Sequence, residues 1–542
     1  MPATINVPGF PASQKTPGIY LAVILGGPGT SAGAAPKKII LLGNMIGSNL
    51  TGASPSFTVT AGTAAANVPV QLASSDDAKT KFGAGSELHL MSKRVFAIYP
   101  QANLWAVPTS AGTGQATGVI TWTGTPTAAY TARVVINGQS CDTAVAASDS
   151  VTTIATNVAT TINQQTDWPV TAQFSAGVLT ISAKQVGLRG NQITFRLFLI
   201  QGTTSLKATA GALAQTMSGS TATLSGGTVV GNVYVLSGGS TEEANLTTSL
   251  ANIAATKYDR YACAQTGSTL LGAVSTQLTS MAGVTTQLRQ QAIAANVLAS
   301  GTGGTGANAV ALALNAPRFQ LCWHYASDVG SGEIAAAVAA ARVIGDSAAS
   351  GSLVGEATDP AANLDGLGIA GIPAQDAIAD QPTPTTIESE LNVGVTPLVP
   401  SSANPGFVKI PRVITTRWQD GSGNPNFAVI DTSDVTVPDY EADLIQGDAA
   451  VTYAGMKLGP DASDGSGPKI PNMTTPNLIR NHFYQILKNE ESLGHIINVD
   501  AHYADLVVVA DSTAVGRVLA DIPIVPAPAL HQVAGNVRQL SN

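Results

Sequence analysis

The chain changes texture at Gly112 and changes back at Ser240, and any fold must accommodate both breaks. From Thr117 to Ile200 the sequence alternates apolar and polar residues around Val119–Thr123, Ala132–Ile136 and Val178–Ser182, the pattern of half-buried strands. One helical pattern interrupts it. Val151, Ile154, Ala155, Val158 and Ile162 recur at near-3.6 spacing, with Asp149 or Ser150 placed to cap. A Thr/Ser/Gly-rich stretch, Gly202–Ser240, leads back out. On either side the texture is α/β. Before the break come an apolar run IILLGN, a helical segment Asp76–Pro100 with a glycine interruption, and a strand at Leu104–Pro108. After it come a helix capped by Ser240 or Thr241 with Glu242 and Glu243 in its first turn, and a strand at Tyr258–Ala264. A helix near Leu270–Ala282, strands at Gln291–Leu298 and Phe319–His324, and an Ala-rich helix Ser331–Ile344 follow. Alternation of this kind implies an α/β sheet. The 112–240 segment therefore reads as a β-rich module inserted into an α/β domain, and its removal should be tolerated.

The far end sets a second constraint. Pro and Gly crowd Asp359–Pro384, and Val408–Trp418 with the turn Asp420–Asn426 predicts a hairpin. Thr475–Glu491 predicts a helix with Leu478, Ile479, Phe483, Ile486 and Leu487 on one side and Arg480, Tyr484, Lys488 and Glu491 on the other. Ala504–Asp511 (ADLVVVAD) reads as a buried strand. The tail Gly516–Asn542 is apolar but broken by Pro523, Pro526 and Pro528, which suits an edge strand or an arm. Met1–Thr16, with Pro2, Pro8, Gly9 and Pro11, is a second extended arm. An apolar terminus that cannot enter a central sheet needs a cover, and a further copy of the chain can supply one. Composition agrees: charged residues are 11% of the chain, against about 25% in ordinary soluble domains. Enrichment in Ala, Thr, Ser and Gly is the simpler source of that figure, and it combines naturally with self-association. The 542 residues suggest about three to four domains.

Several function classes fall away. A net charge of −8 with no basic run longer than Lys37-Lys38 or Lys93-Arg94 gives no nucleic-acid footprint. Cys141, Cys263 and Cys322 form neither a disulfide framework nor a metal pattern and suit a reducing compartment. The N-terminus has no signal-peptide pattern, and the apolar stretch Gly18–Gly27 falls short of the roughly 20 residues that span a bilayer. A soluble protein made in the cytoplasm is expected. Gly301–Gly306 satisfies GxGxxG, with Asp328 further on, but ANAVALALNAP behind it is cut short by Pro317 and the spacing arises easily in so Gly-rich a chain. A flexible loop is the expectation. His495 and His502 flank Asp500 without a metal-ligand spacing, and no GxSxG elbow occurs. No catalytic, cofactor-binding or metal-ligating residue is expected.

Taken in order, PGIYLAV, KKIILLGN, FGAGSELHLM with LWAVP, TGVITWTGTPTAAYTARVVINGQ through AKQVGLRGNQITFRL, EIAAAVAAARVIGDSAASG with DPAANLDGLGIAGI, ESELNVGVTPLVP with RVITTRW, and TTPNLIRNHFYQILKNEESLGHI with GRVLADIPIVPAPALHQVAGNVRQL resemble contractile-tail sheath proteins of bacteriophages, in particular those of Mu-like phages, and the related R-type pyocin sheaths. The resemblance covers nearly the whole chain; Phe427–Pro460 departs from the pattern. It implies an α/β multidomain fold: a sheath core (17–111 and 241–385), an inserted, outward-facing β-sandwich-like domain (112–240), and an α+β C-terminal domain near the tube (386–515). Extended arms (1–16 and 516–542) complete it. It implies a structural subunit that polymerises around a tail tube in a metastable extended state and contracts to drive the tube through the host envelope. The implied partners are neighbouring copies, the tail tube protein, and baseplate and tail terminator proteins. Neither nucleic acid, nor membrane insertion, nor any cofactor is implied. The implied location is the virion, after assembly in the host cytoplasm. Ile5, Val7, Val518, Ile522, Ile524 and Val525 become candidates for strand donation between subunits, and Arg480, Lys488, Glu490 and Glu491 for tube contact. A β-rich adhesin, on the virion surface or secreted, and a nucleotide-binding enzyme built on Gly301–Gly306 are the other readings.

Overall fold

The computed structural model describes residues 37–207, 212–230, 233–300, 306–348, 361–426, 428–461 and 470–532. The Met1–Thr16 arm, with Ile5 and Val7, and Gly301–Thr305 lie outside the described residues. Among the described residues, seven strands form the central sheet. Edge to edge they are Val395–Pro397, Phe319–Trp323, Gln291–Asn296, Arg260–Cys263, Lys38–Asn44, Asn103–Thr109 and Val70–Leu72. All pair in parallel except the last. Parallel strands are covered on both faces, so each reads as a continuous apolar run. Along Lys38–Asn44, Ile39 and Leu41 face the helices Glu87–Ile98 and Ser331–Ala348. Ile40 and Leu42 face the helices Thr247–Ile253, Ser268–Met281 and Ala307–Leu314. The three cysteines are buried and free; burial pushes the Cys141 thiol up to about 11 and that of Cys322 to about 12, so they pack as small apolar groups.

Two expectations change here. The helical stretch Asp76–Pro100 is two helices, Ser75–Phe82 and Glu87–Ile98, because Gly83 and Gly85 take φ of 86° and 79° between them. The helix expected to begin at Glu242 begins instead at Thr247. Both carboxylates are recruited elsewhere.

After Thr109 the chain leaves this sheet and builds two antiparallel ones. The first runs Leu213–Met217, Ser220–Ser225, Thr117–Gly124, Val178–Ala183, Val170–Ser175. The second runs Gly227–Val230, Val233–Leu236, Thr194–Gln201, Tyr130–Ile136, Gln139–Val145, with Thr204–Lys207 also on Thr194–Gln201. Trp122, Val134, Phe195, Leu197 and Leu224 share one core with Ile154, Val158 and Ile162 of the helix Val151–Gln164. Ser150 caps that helix, its Oγ accepting from Thr153 N at 3.1 Å. The segment begins and ends side by side: Thr113 bridges Thr241, and Thr117 bridges Ser237. The approach demands glycine, since a Cβ on Gly112 would lie 2.0 Å from the Thr241 carbonyl oxygen.

Beyond the central sheet, Gly368–Pro373, Phe407–Lys409 and Val399–Pro400 form a three-stranded sheet. The hairpin expected around Asp420–Asn426 reduces to two isolated bridges, Ile414 to Asp431 and Gln419 to Pro425. Its backbone is engaged by other segments: Thr416 N donates to Phe319 O at 2.8 Å and Trp418 N to Asn315 Oδ1 at 3.1 Å. A helix, Ser433–Thr452, occupies the stretch that departed from the family pattern. Its buried stripe includes Pro438 and Glu441, which mask the apolar period. Asp439 and Asp443 on this helix pair with Arg318 and Lys257 (both 2.5 Å), and with Arg289, at the amino ends of the central strands. A second helix, Pro476–Leu493, packs on it through Ile479, Phe483 and Leu487. Among the described residues no helix is long and apolar enough to cross a membrane.

Candidate assembly site

In a doubly wound sheet, ligands bind beyond the carboxyl ends of the strands where the strand order reverses. Here the reversal lies at Lys38–Asn44, and the crevice is filled by Arg189 of the β-rich segment. The guanidinium donates to both oxygens of Glu87 (2.7 and 3.0 Å) and to both of Glu243 (2.6 and 3.1 Å). Glu243 also accepts from Thr109 Oγ1 and Gln265 Nε2, each at 2.7 Å. The Arg189 side chain is 3% exposed. Burial raises the Glu87 carboxyl above its ordinary value despite Arg189. At Glu243 burial acts the same way, but the charge and hydrogen bonds of Arg189 outweigh it and the carboxyl is lowered. Glu242 instead accepts from Thr266 N (2.8 Å) and Gly267 N (2.9 Å), satisfying orphan donors at the start of Ser268–Met281.

The Gly-rich motif has a strand before it, Gln291–Asn296, and a helix behind it, Ala307–Leu314. The strand Gln291–Asn296 lies two places from Lys38–Asn44 in the sheet, and Glu390, buried beside Asn308 of that helix's first turn, has its carboxyl raised above the ordinary value by burial. A carboxylate there has the wrong charge for a pyrophosphate. His495 bonds Glu490 and His502 bonds Asp505, so the two histidines do not converge.

The Pro476–Leu493 helix is capped by Thr475 and ends at Gly494 in the left-handed region. Its charged residues serve their own chain. Arg480 donates to Leu506 O (2.6 Å) and Tyr503 O (2.7 Å) and lies 4.2 Å over the Tyr503 ring. Lys488 meets Glu491 (2.5 Å) and Asp500 (3.1 Å), and Glu491 accepts from Val499 N at 3.0 Å. These three hold the 496–506 loop. Glu490 points inward, 3% exposed, with its Oε2 2.8 Å from His495 Nδ1. The exposed face is uncharged: Asn477, Leu478, Asn481, Gln485, Asn489 and Leu493.

Beside Glu490 lies Glu441, fully buried, with neither carboxyl oxygen hydrogen-bonded. Burial, then Glu490, pushes its carboxyl up to about 9. The folded state therefore holds this proton more tightly than the unfolded chain does. The stability it contributes is complete at acid pH, declines as pH rises past the ordinary value of 4.5, and is lost by about 9. Glu441→Gln should flatten that decline and raise stability at about pH 8 by at least about 1 kcal/mol, read from thermal denaturation across a pH series.

The C-terminal arm candidates gather on the same unit. Val518–Asp521 pairs antiparallel with Val507–Ala510, and Val525 pairs with Ile497. Ile524 is 2% exposed within the cluster of Val437, Ile445, Phe483 and Leu487, and Ile522 packs against it. Ala504–Asp511 is thus half of a surface hairpin instead of a core strand, because its partner is the tail. Beyond the pair, Ala527 N donates to His495 O at 3.0 Å, and His531 reaches Asp365 and Asp431. Three ribbons of this unit (Lys457–Leu458 with Met473–Thr474, and the two just described) have two strands each among the described residues. Two-stranded ribbons are marginal in water and gain from a third strand.

No protein-family model matches the chain. Its sequence is 29% identical over 199 residues to the Mu-like prophage FluMu tail sheath protein of Haemophilus influenzae, a match covering 36% of this chain and 37% of that one. The chain thus aligns with little more than a third of its relative's length. Crystal structures of sheath tail proteins from Desulfitobacterium hafniense and Listeria innocua align over 92% of this chain and 94% of theirs, each at 14% identity and a TM-score of 0.44. Over the aligned 199 residues, the chain is similar to a Mu-like prophage tail sheath protein.

Proposed function

We propose that this protein is the structural subunit of a contractile phage tail sheath, a component of the virion assembled in the host cytoplasm, and not an enzyme. The observation that carries the reading is the C-terminal unit, where two of the two-stranded ribbons are completed by a proline-broken arm of the same chain. Subunits that reorient greatly while staying joined need a link whose hydrogen bonds run through a donated strand and whose rotation is absorbed by a linker. Each backbone bond adds only about 1 kcal/mol net, so the lattice holds by repetition of many such links. In this reading Val518–Val525, and Ile5 with Val7, cross to neighbouring copies. The 112–240 segment is the outward-facing insertion, the flanking α/β region the sheath core, and 386–515 the tube-proximal domain. Contraction requires that contracted contacts between subunits outweigh extended ones. Negative-stain imaging of the purified protein tests the assignment: hollow striated tubes support it, whereas discrete particles would fit an adhesin or an enzyme.

The tube is the partner proposed for the Pro476–Leu493 helix, with its baseplate and terminator proteins at the ends. Arg480, Lys488 and Glu491 brace the 496–506 loop behind that contact, and Glu490 lies beneath it. The exposed Asn481, Gln485 and Asn489 are the atoms offered outward. Asn481→Asp combined with Gln485→Glu should weaken tube-dependent assembly about tenfold, a change of about 1.4 kcal/mol per site, and leave tube-free polymers intact. Sedimentation with and without tubes reads both.

A further inference from the structure

The arm ends at a clasp. The His531 ring lies between two carboxylates, Nδ1 2.6 Å from Asp365 Oδ2 and Nε2 3.1 Å from Asp431 Oδ2. The carboxylates belong to different parts of the chain. Asp365 sits in a loop whose Leu364 and Leu367 pack on the core cluster, and Gly366 N donates to Ile410 O at 2.8 Å. Asp431 stands just ahead of the Ser433–Thr452 helix and is gripped by Arg412 through two bonds of 2.8 Å. His531 therefore fastens the arm across the joint between the core and the C-terminal unit. Next to the clasp, Asn363 Nδ2 donates to Leu530 O at 3.4 Å, and the Leu530 side chain is exposed.

A neutral imidazole carries one N–H. With a carboxylate oxygen on each ring nitrogen, both hydrogen bonds exist only in the imidazolium. We propose that His531 is a proton-operated latch: its imidazolium bridges Asp365 and Asp431 and holds the C-terminal arm on its own chain, and loss of the proton opens one side of the clasp. Charged groups facing the ring are Asp365, Asp431, Arg412 and Asp434. Asp434 accepts from Asp431 N at 3.0 Å, and burial and Asp431 push its carboxyl up to about 6, against Arg412 and His531. Its protonation removes negative charge near the ring and so opposes the latch at the acid end. The remaining pair, Asp365 and Asp431, directly bonds the ring and dominates. Arm docking tightens as pH falls and loosens as it rises, which frees the arm for whatever it joins next.

Hydrogen exchange on the dispersed full-length chain tests this. The readout is the protection factor of peptides within 523–532, which contain the Ala527 amide, referenced to the Pro476–Leu493 helix. From acid pH, where the imidazole carries its second proton, to alkaline pH, where it has lost it, arm protection should fall about tenfold or more, as for loss of a charge-assisted hydrogen bond. His531→Gln should hold the arm weakly with no pH dependence, Asp365→Asn should show a reduced one, and Asp434→Asn should keep it. A flat profile in the natural protein overturns the latch, as does an unchanged profile in His531→Gln or a lost one in Asp434→Asn. The test is independent of the sheath reading: tubes with a flat profile leave that reading intact and remove the latch.

Discussion

Arg189→Met should destabilise the protein by about 3–5 kcal/mol, the cost of breaking a buried ion pair and leaving its partners charged. The case is severe here because Glu87 and Glu243 each give both oxygens to that one guanidinium, at a depth where little water can replace it. Denaturant titration of natural and variant protein reads the loss. Adding Glu87→Gln and Glu243→Gln to Arg189→Met should recover most of it, since the two carboxylates that give the guanidinium both oxygens are then neutral, and Glu242, 3.4 Å from Arg189, keeps its bonds from Thr266 N and Gly267 N. Failure of that rescue would mean that packing by the arginine stem, and not charge, governs the site. The same geometry changes what removal of Gly112–Ser240 should do. Sequence texture alone makes the segment look separable. In the fold, deletion strips Arg189 from Glu87 and Glu243, and Arg196 from Asp328 and Asp376. The deletion should give insoluble protein unless the carboxylates are neutralised with it.

Truncation at Gly516 is the second large effect. It removes the strand that pairs with Val507–Ala510, the partner of Ile496–Ile497, and Ile524 from the apolar cluster. Ile524→Ala alone should cost about 2–5 kcal/mol, so the truncated C-terminal unit should open locally. Imaging should show no tubes from the truncated protein, and exchange should show unprotected amides at 507–510. Normal tubes from it would refute a role for the arm in assembly.

Much of the fold was legible because parallel central strands are buried on both faces and read as short apolar runs, as at Ile39–Leu42 and Gln291–Asn296. The helix Val151–Gln164 was legible down to a cap at Asp149 or Ser150, of which Ser150 serves, since its stripe and cap are local. What escaped was long-range or concealed. The Ser433–Thr452 helix carries Pro438 and Glu441 in its inward stripe. Glu242 and Glu243 resembled a first-turn pair, because nothing nearby in sequence announces the arginine some fifty residues earlier; two adjacent acids in so acid-poor a stretch were the available signal. Arg480, Lys488 and Glu491 fell on one helix face as expected, but periodicity cannot tell a face offered to a partner from one bracing its own loop. His531 and its two aspartates are separated by a hundred residues and more, and only the fold joins them.

A helical reconstruction of the assembled protein by electron cryo-microscopy tests the central claim most directly. The account predicts a lattice in which Val507–Ala510 or Ile496–Ile497 of one copy carries a strand from a neighbour, with the subunits joined through their termini. Tubes whose arms all remain on their own chains, with subunits held only by rigid faces, would contradict it.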